Sequence, residues 1–201
     1  MFIVCFRLFS SNPRICFQLY TQKRFEQLGA VKQLLDMPEE RRNSMVRSVV
    51  EKITQVTLEA RRGLEAKGFD VGQVFDVGFP EDDEESKNAL ALILENAAFL
   101  GDVLLRFPDE VAAIFAAHPE WKAHFEWCLD FMSRSRLVDE ATERMMKLVM
   151  QELRLVERDE NFVNPYRTQK RKQKRFEEPP PPKKKEKKKI KKGPRMSRGE
   201  L

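Results

Sequence analysis

The sequence predicts an all-α fold, a helical bundle of about five to six helices with a disordered basic C-terminal tail. Three observations predict it. Apolar residues recur three and four apart with little interruption from Phe17 to Val156, the period of helices that bury one face. Between these stripes stand residues that start and stop helices: Pro38, Pro108 and Pro119 at the starts, Gly68 at an end. From Glu157 onward the apolar period stops, and charge and proline take over. The chain divides accordingly into residues 1–16, an irregular N-terminus or remnant of a targeting segment, a helical bundle domain over 17–156, and a basic, Pro/Lys-rich tail over 157–201.

The first helix carries Phe17, Tyr20, Leu28, Val31 and Leu35 on one stripe, until Asp36 and Pro38 interrupt it. Asp36 followed by Glu39 has the spacing of a capping box, and Pro38 suits a first turn. The second helix then spans about Pro38 to Lys67, with Val46, Val49, Val50, Ile53, Val56 and Leu64 inward and Gly68 closing it. Residues 69–85 hold three Phe, two Gly, Pro80 and an acidic cluster, and read as a loop. A third helix covers roughly Ser86 to Phe107, its inward side made by Leu90, Ile93, Leu94, Ala97, Leu100, Val103 and Leu104. Gly101 inside it costs about 1 kcal/mol against alanine, which suits a place where a neighbouring helix comes close. Pro108 opens a short helix with Val111, Ile114 and Phe115, and Pro119 opens another with Trp121, Phe125, Cys128, Leu129 and Met132. The last helix runs from about Leu137 to Val156.

The net charge of +5 conceals a polar division. Residues 167–201 hold 16 Lys/Arg against 4 Asp/Glu, a balance of +12; the first 166 residues hold 21 against 28, a balance of −7. Two basic clusters, Lys170–Arg175 and Lys183–Lys192, match a nuclear-import signal or a phosphate-backbone contact. Only Phe176 is aromatic between residues 167 and 201, and a base-stacking surface needs several rings, so no specific nucleic-acid recognition is expected.

Three cysteines, Cys5, Cys16 and Cys128, show no Cys-x-x-Cys spacing, and a disulfide scaffold or zinc site is not expected. His118 and His124 lie near helix-end prolines with no further ligand type at a metal spacing. Cys128 falls on an apolar stripe, where a packed thiol is the default. No phosphate-cradling glycine loop and no Gly-x-Ser-x-Gly elbow occurs, so neither enzyme activity nor a cofactor is expected. No run approaches the eighteen or more apolar residues of a membrane span. Phe2 to Phe6 is apolar, but Arg7 interrupts it, short of the roughly 7–15 residues of a secretory core.

Two short segments are candidates for recognition. The terminus Arg198-Gly199-Glu200-Leu201 offers a cation, carboxylates and an apolar tip, the chemistry read by receptors that return proteins to the endoplasmic reticulum. Gly199 stands where a carboxylate is usual, which weakens such a contact by roughly 1.5–3 kcal/mol. Asn161-Phe162-Val163-Asn164-Pro165-Tyr166 is an aromatic segment bounded by polar residues. It either lies back on the bundle or docks a partner, with Asn161, Phe162, Asn164, Pro165 and Tyr166 as the contact residues.

Glu95-Asn96-Ala97-Ala98-Phe99-Leu100-Gly101-Asp102-Val103-Leu104-Leu105-Arg106-Phe107-Pro108 resembles the coiled-coil domain-containing protein 134 family. The likeness resumes at Met150-Gln151-Glu152-Leu153, at Asp159-Glu160-Asn161-Phe162 with Asn164-Pro165, and at Lys191-Lys192-Gly193-Pro194-Arg195-Met196-Ser197-Arg198. It extends more weakly back to Lys23-Arg24-Phe25-Glu26-Gln27-Leu28. The resemblance implies a non-enzymatic adapter of the endoplasmic reticulum lumen, assisting the luminal Hsp90 chaperone endoplasmin. In that role it tethers the chaperone with the oligosaccharyltransferase catalytic subunit at the translocon and prevents hyperglycosylation, while a retention receptor reads Arg198–Leu201. It also implies, as an alternative, a secreted or nuclear regulatory protein. Any exposed part of Glu95–Pro108 is then a further docking candidate, its alternative being internal packing. Two features depart from the family: Met1–Phe17 lacks a clear signal peptide, and Phe131-Met132-Ser133-Arg134 lacks the family's glycosylation acceptor after the Trp-containing helix.

Overall fold

The computed structural model describes residues 13–69, 83–135 and 137–167, with side chains from Tyr20 onward. Among them are six helices and no strand: α1 (Pro13–Asp36), α2 (Glu39–Ala66), α3 (Glu84–Arg106), α4 (Pro108–Ala117), α5 (Pro119–Ser135) and α6 (Glu140–Glu152). Arg198–Leu201 and the two basic clusters lie outside the described residues.

Helix α3 is the axis, packing against all five other helices. Its apolar side chains are nearly continuous around the helix: Leu90, Ile93, Leu94, Leu100, Val103 and Leu104 are all buried. By length and hydropathy alone α3 would cross a membrane, but most of that stretch is covered by the other helices. A helix apolar all round is either a membrane span or a core element, and here it is the core. Around it α5 contributes Phe125, Leu129, Phe131 and Met132, and α2 contributes Val46, Val50, Ile53 and Leu64.

Close approach explains Gly101. A Cβ there would stand 2.7 Å from Met145 Sδ and 3.3 Å from Val149 Cγ2 of α6. The thioether end of Met145 can swing aside, but the branched Val149 cannot, so α6 rests directly on the glycine. Gly101→Val is therefore expected to destabilise the fold by about 2 kcal/mol through overpacking, read as a lower urea midpoint with an unchanged slope.

Helix boundaries follow local hydrogen bonding. Helix α2 ends where Gly68 adopts φ +77°, its N–H meeting Glu65 O at 3.0 Å while Phe69 N–H reaches Leu64 O at 3.1 Å. This pair of bonds satisfies carbonyls that have no partner further along the helix. Asp83 caps α3, accepting from the Glu85 and Ser86 N–H groups at 3.1 and 3.3 Å. Lys67 Nζ lies 2.8 Å from the same carboxylate, and with the Ser86 hydroxyl holds it well below the usual carboxylate range. Glu84 and Glu85 are thus the exposed first turn of α3, not part of a loop, and their charge suits the positive end of the helix.

Three local expectations are corrected. The capping box at Asp36 does not form: α1 runs through Asp36, and Pro38 sits at the α2 N-cap without a side-chain bond. Leu28, placed on the inward stripe by spacing, is 41% exposed. The inward register of α1 is Tyr20, Arg24, Gln27, Val31 and Leu34, which takes in two polar residues. Finally, α6 starts at Glu140 rather than Leu137 and stops at Glu152 rather than Val156. Asp139 caps its start through Thr142 N–H at 2.8 Å. Its end is turned by Arg154 at φ +58°, with Leu155 N–H on Met150 O at 2.9 Å.

Candidate functional site

The segment after α6 lies back on the bundle as a strap over residues 157–167. Arg158 folds under α6 and donates to Gln151 O at 2.7 Å and Glu152 O at 2.9 Å, covering the helix's open carbonyl end. Its guanidinium also stands 5.3 Å from the Phe162 ring centroid. At the far end Asn164 is buried, and its amide donates to Leu105 O at 2.8 Å. The chain turns into α4 at Pro108, so the last carbonyls of α3 have no helical donor, and a side-chain amide supplies one. Asn164 also accepts from Tyr166 N–H at 3.0 Å, which sets the turn. The Tyr166 ring lies 4.6 Å from the Arg106 guanidinium, and the Arg167 guanidinium donates to the Asp109 carboxylate.

Of the five sequence-predicted contact residues, Asn164 is buried and Phe162 half-buried beside Arg158, while Asn161, Pro165 and Tyr166 are exposed, as is Val163 at 77%. Asn164→Ala is expected to cost about 1–2 kcal/mol by leaving Leu105 O unpaired, and to speed tryptic cleavage at Arg158 and Arg167. A thermal melt and a limited-digestion time course check both effects.

Most of Glu95–Pro108 is internal. Only Asn96, Phe99 and Arg106 are part-exposed, so this stretch serves packing rather than offering a free face. Its polar residues form a seam with α1. Arg24 meets Asp102 at 2.5 Å and Gln27 Oε1 at 2.7 Å, and Gln27 donates to Glu95 O at 2.9 Å. From the other side Arg106 meets Asp102 at 3.0 Å. The seam thus runs from α1 through Asp102 and Arg106 to Tyr166 of the strap. Nearby, Tyr20 donates to Thr142 Oγ1 at 3.2 Å, and burial pushes its hydroxyl up to about 12. The Glu95 carboxyl is buried with one oxygen unpartnered, and desolvation pushes it up to about 7.

A second polar cluster lies between α2 and α5. His124 Nε2 is 2.9 Å from Thr57 Oγ1 and 3.6 Å from Cys128 Sγ. The Thr57 hydroxyl proton goes to Ile53 O at 2.8 Å, so the imidazole donates from Nε2 and its Nδ1 is left unpartnered. Burial pushes His124 down to about 4 and Cys128 up to about 12. At neutral pH both are uncharged, without the thiolate that nucleophilic work requires. Among the described residues no three His, Cys, Asp or Glu side chains converge as a metal site. A 270 Å³ cleft between α2 and α3 is lined by Val56, Ala60, Gly63 and Leu92, with Lys67 and Glu85 at its rim.

The seam and the His124–Cys128 pair are not picked out by apolar spacing. The signals are present: Arg24 and Gln27 keep phase with Tyr20, Val31 and Leu34, Glu95 and Asp102 are seven apart, and His124 and Cys128 are four apart.

Residues 10–197 match a family model described as "ERK and JNK pathways, inhibitor". Coiled-coil domain-containing protein 134 of Mus musculus is 34% identical over 194 residues, covering 91% of this chain and 83% of that protein. The protein of the same name from Xenopus tropicalis is 32% identical over 193 residues, covering 90% of this chain and 82% of its own length. No solved structure matches the chain. Similarity of this extent, running through the bundle, the strap and the basic tail, shows that the chain belongs to the coiled-coil domain-containing protein 134 family.

Proposed function

We propose that the chain is a non-catalytic adapter of the endoplasmic reticulum lumen that assists endoplasmin and limits its glycosylation by oligosaccharyltransferase at the translocon. The observation that carries this reading is the family similarity over nearly the whole chain. Two further features support it. The terminal Arg198-Gly199-Glu200-Leu201 has most of the chemistry of a luminal retention signal. The strap presents Val163 and Tyr166 outward on a backbone fixed by Asn164, a short apolar edge for a protein partner.

Deleting Glu200 and Leu201 from a tagged chain with a free C-terminus is expected to shift most of it from the lumen to the medium. Loss of the protein is expected to produce slower-migrating endoplasmin that collapses to one band on deglycosylation. Unchanged residence and unchanged endoplasmin mobility would both count against the adapter.

The family model's description favours a second reading, a regulator of ERK and JNK signalling. The basic clusters suit such a regulator acting in the nucleus or after secretion. On that reading, neutralising Lys183–Lys192 abolishes nuclear import, and ERK and JNK phosphorylation rises when the protein is removed.

A further inference from the structure

Helix α1 is held in two different ways along its length. Its C-terminal half joins the main core through Val31 and Leu34. Its N-terminal half meets the bundle through Tyr20, Arg24 and Gln27, whose partners are Thr142, Asp102 and the Glu95 carbonyl. Between the halves sits Gly29, where an added Cβ would meet nothing within 4 Å. No neighbour requires glycine at that point, and glycine weakens the helix there.

Beneath the N-terminal half lies the Glu95 side chain, 3% exposed, with one carboxyl oxygen lacking any partner. The charges that face it from α1 are Lys23 and Glu26, which are 3.5 Å from each other. Arg24 is engaged with Asp102. Tyr20 has its hydroxyl on Thr142 of α6, with Asp139 at the α6 N-cap close enough to act on it. Among the described residues Lys23 is the cation acting on Glu95, and it pairs with Glu26 rather than with the Glu95 carboxyl. A neutral carboxyl tolerates such a site, whereas a carboxylate requires water or a partner.

We infer that the N-terminal half of α1, up to Leu28, is a proton-controlled arm, docked on α3 and α6 while Glu95 is protonated and lifting about Gly29 when Glu95 ionises. Burial raises the Glu95 carboxyl to about 7 while the arm is docked, so the arm lifts at a pH between the ordinary glutamate value of 4.5 and that value, set by how tightly the arm is held. Lifting opens the Arg24–Asp102 contact and uncovers Ala91, against which Tyr20 packs. The inference is independent of the adapter reading, since it concerns only contacts within the bundle.

Hydrogen exchange of the full chain tests it, with protection factors corrected for the intrinsic rate at each pH. Between about pH 6 and about pH 8, protection of the amides over residues 20–28 is expected to fall by roughly tenfold, while that of Leu90–Leu105 holds. In Glu95→Gln the arm is expected to keep its low-pH protection at both values. Gly29→Ala is expected to raise arm protection a few-fold at the higher pH. Arm protection independent of pH in the native chain, or the same fall in Glu95→Gln, overturns the inference. A carbon-13 titration of the native Glu95 carboxyl gives a second reading that needs no variant. A midpoint near the ordinary glutamate value of 4.5 overturns the inference as well, and one near neutrality supports it.

Discussion

At about pH 5, where the arm is docked, Asp102→Ala is expected to lower folding stability by about 3 kcal/mol. Asp102 is 4% exposed and accepts from two arginines on different elements, Arg24 of α1 and Arg106 of its own helix. Truncation leaves the buried Arg24 without an anion and removes the carboxylate from Arg106, which still donates to the Asp102 carbonyl and holds the Tyr166 ring of the strap. Most of the cost is the stranded cation rather than the lost attraction, because a buried pair gains little over a well-packed apolar replacement. The double variant Arg24→Met with Asp102→Leu is accordingly expected to recover most of the loss. Urea denaturation followed by circular dichroism measures both. A loss under about 1 kcal/mol for Asp102→Ala would show that water reaches Arg24 freely and that the seam is not a buried element.

The parts of the fold legible in the sequence are those fixed by apolar period. The stripes read on α2, α3, α4 and α5 line the core, with Val49 and Trp121 only partly buried, because these helices turn their apolar faces inward and α3 has apolar residues almost all round. Gly101 was legible as a close approach, and the structure puts Met145 and Val149 there. The pattern fails where polar atoms do the packing. Arg24 and Gln27 are buried beside Val31 and Leu34, yet hydropathy assigns their register to Leu28 instead. Helix ends fail for a related reason: α6 stops at Glu152 because Arg154 adopts a left-handed turn and Arg158 reaches back to the carbonyls, and neither event has an apolar signature. At the strap the sequence left two alternatives, and the donor that Leu105 O lacks decides for Asn164.

The pH dependence of stability is expected to carry the mark of Glu95. Its carboxyl is pushed up from 4.5 to about 7, so the folded state binds a proton that the unfolded chain has released. The stability this contributes is fully present below about pH 4.5 and is lost as pH rises through about 7, a total of about 3 kcal/mol. The slope is opposite to that from Asp83, whose depressed value makes its contribution fall only in acid. Between about pH 5 and about pH 8 the depressed His124 adds an opposing rise, because the unfolded imidazole takes up a proton below about 6.5. The Glu95 contribution is therefore the difference in urea midpoint between the native and Glu95→Gln chains, and Glu95→Gln is expected to keep only the rise. The size of the fall carries further information. A lifted arm returns Glu95 to water with an ordinary proton affinity, so the loss cannot exceed the free energy that holds the arm down. A fall that levels off short of about 3 kcal/mol measures that docking energy directly, and Gly29→Ala should raise the level at which it stops. Parallel loss in the native and Glu95→Gln chains would place the titrating proton on another group.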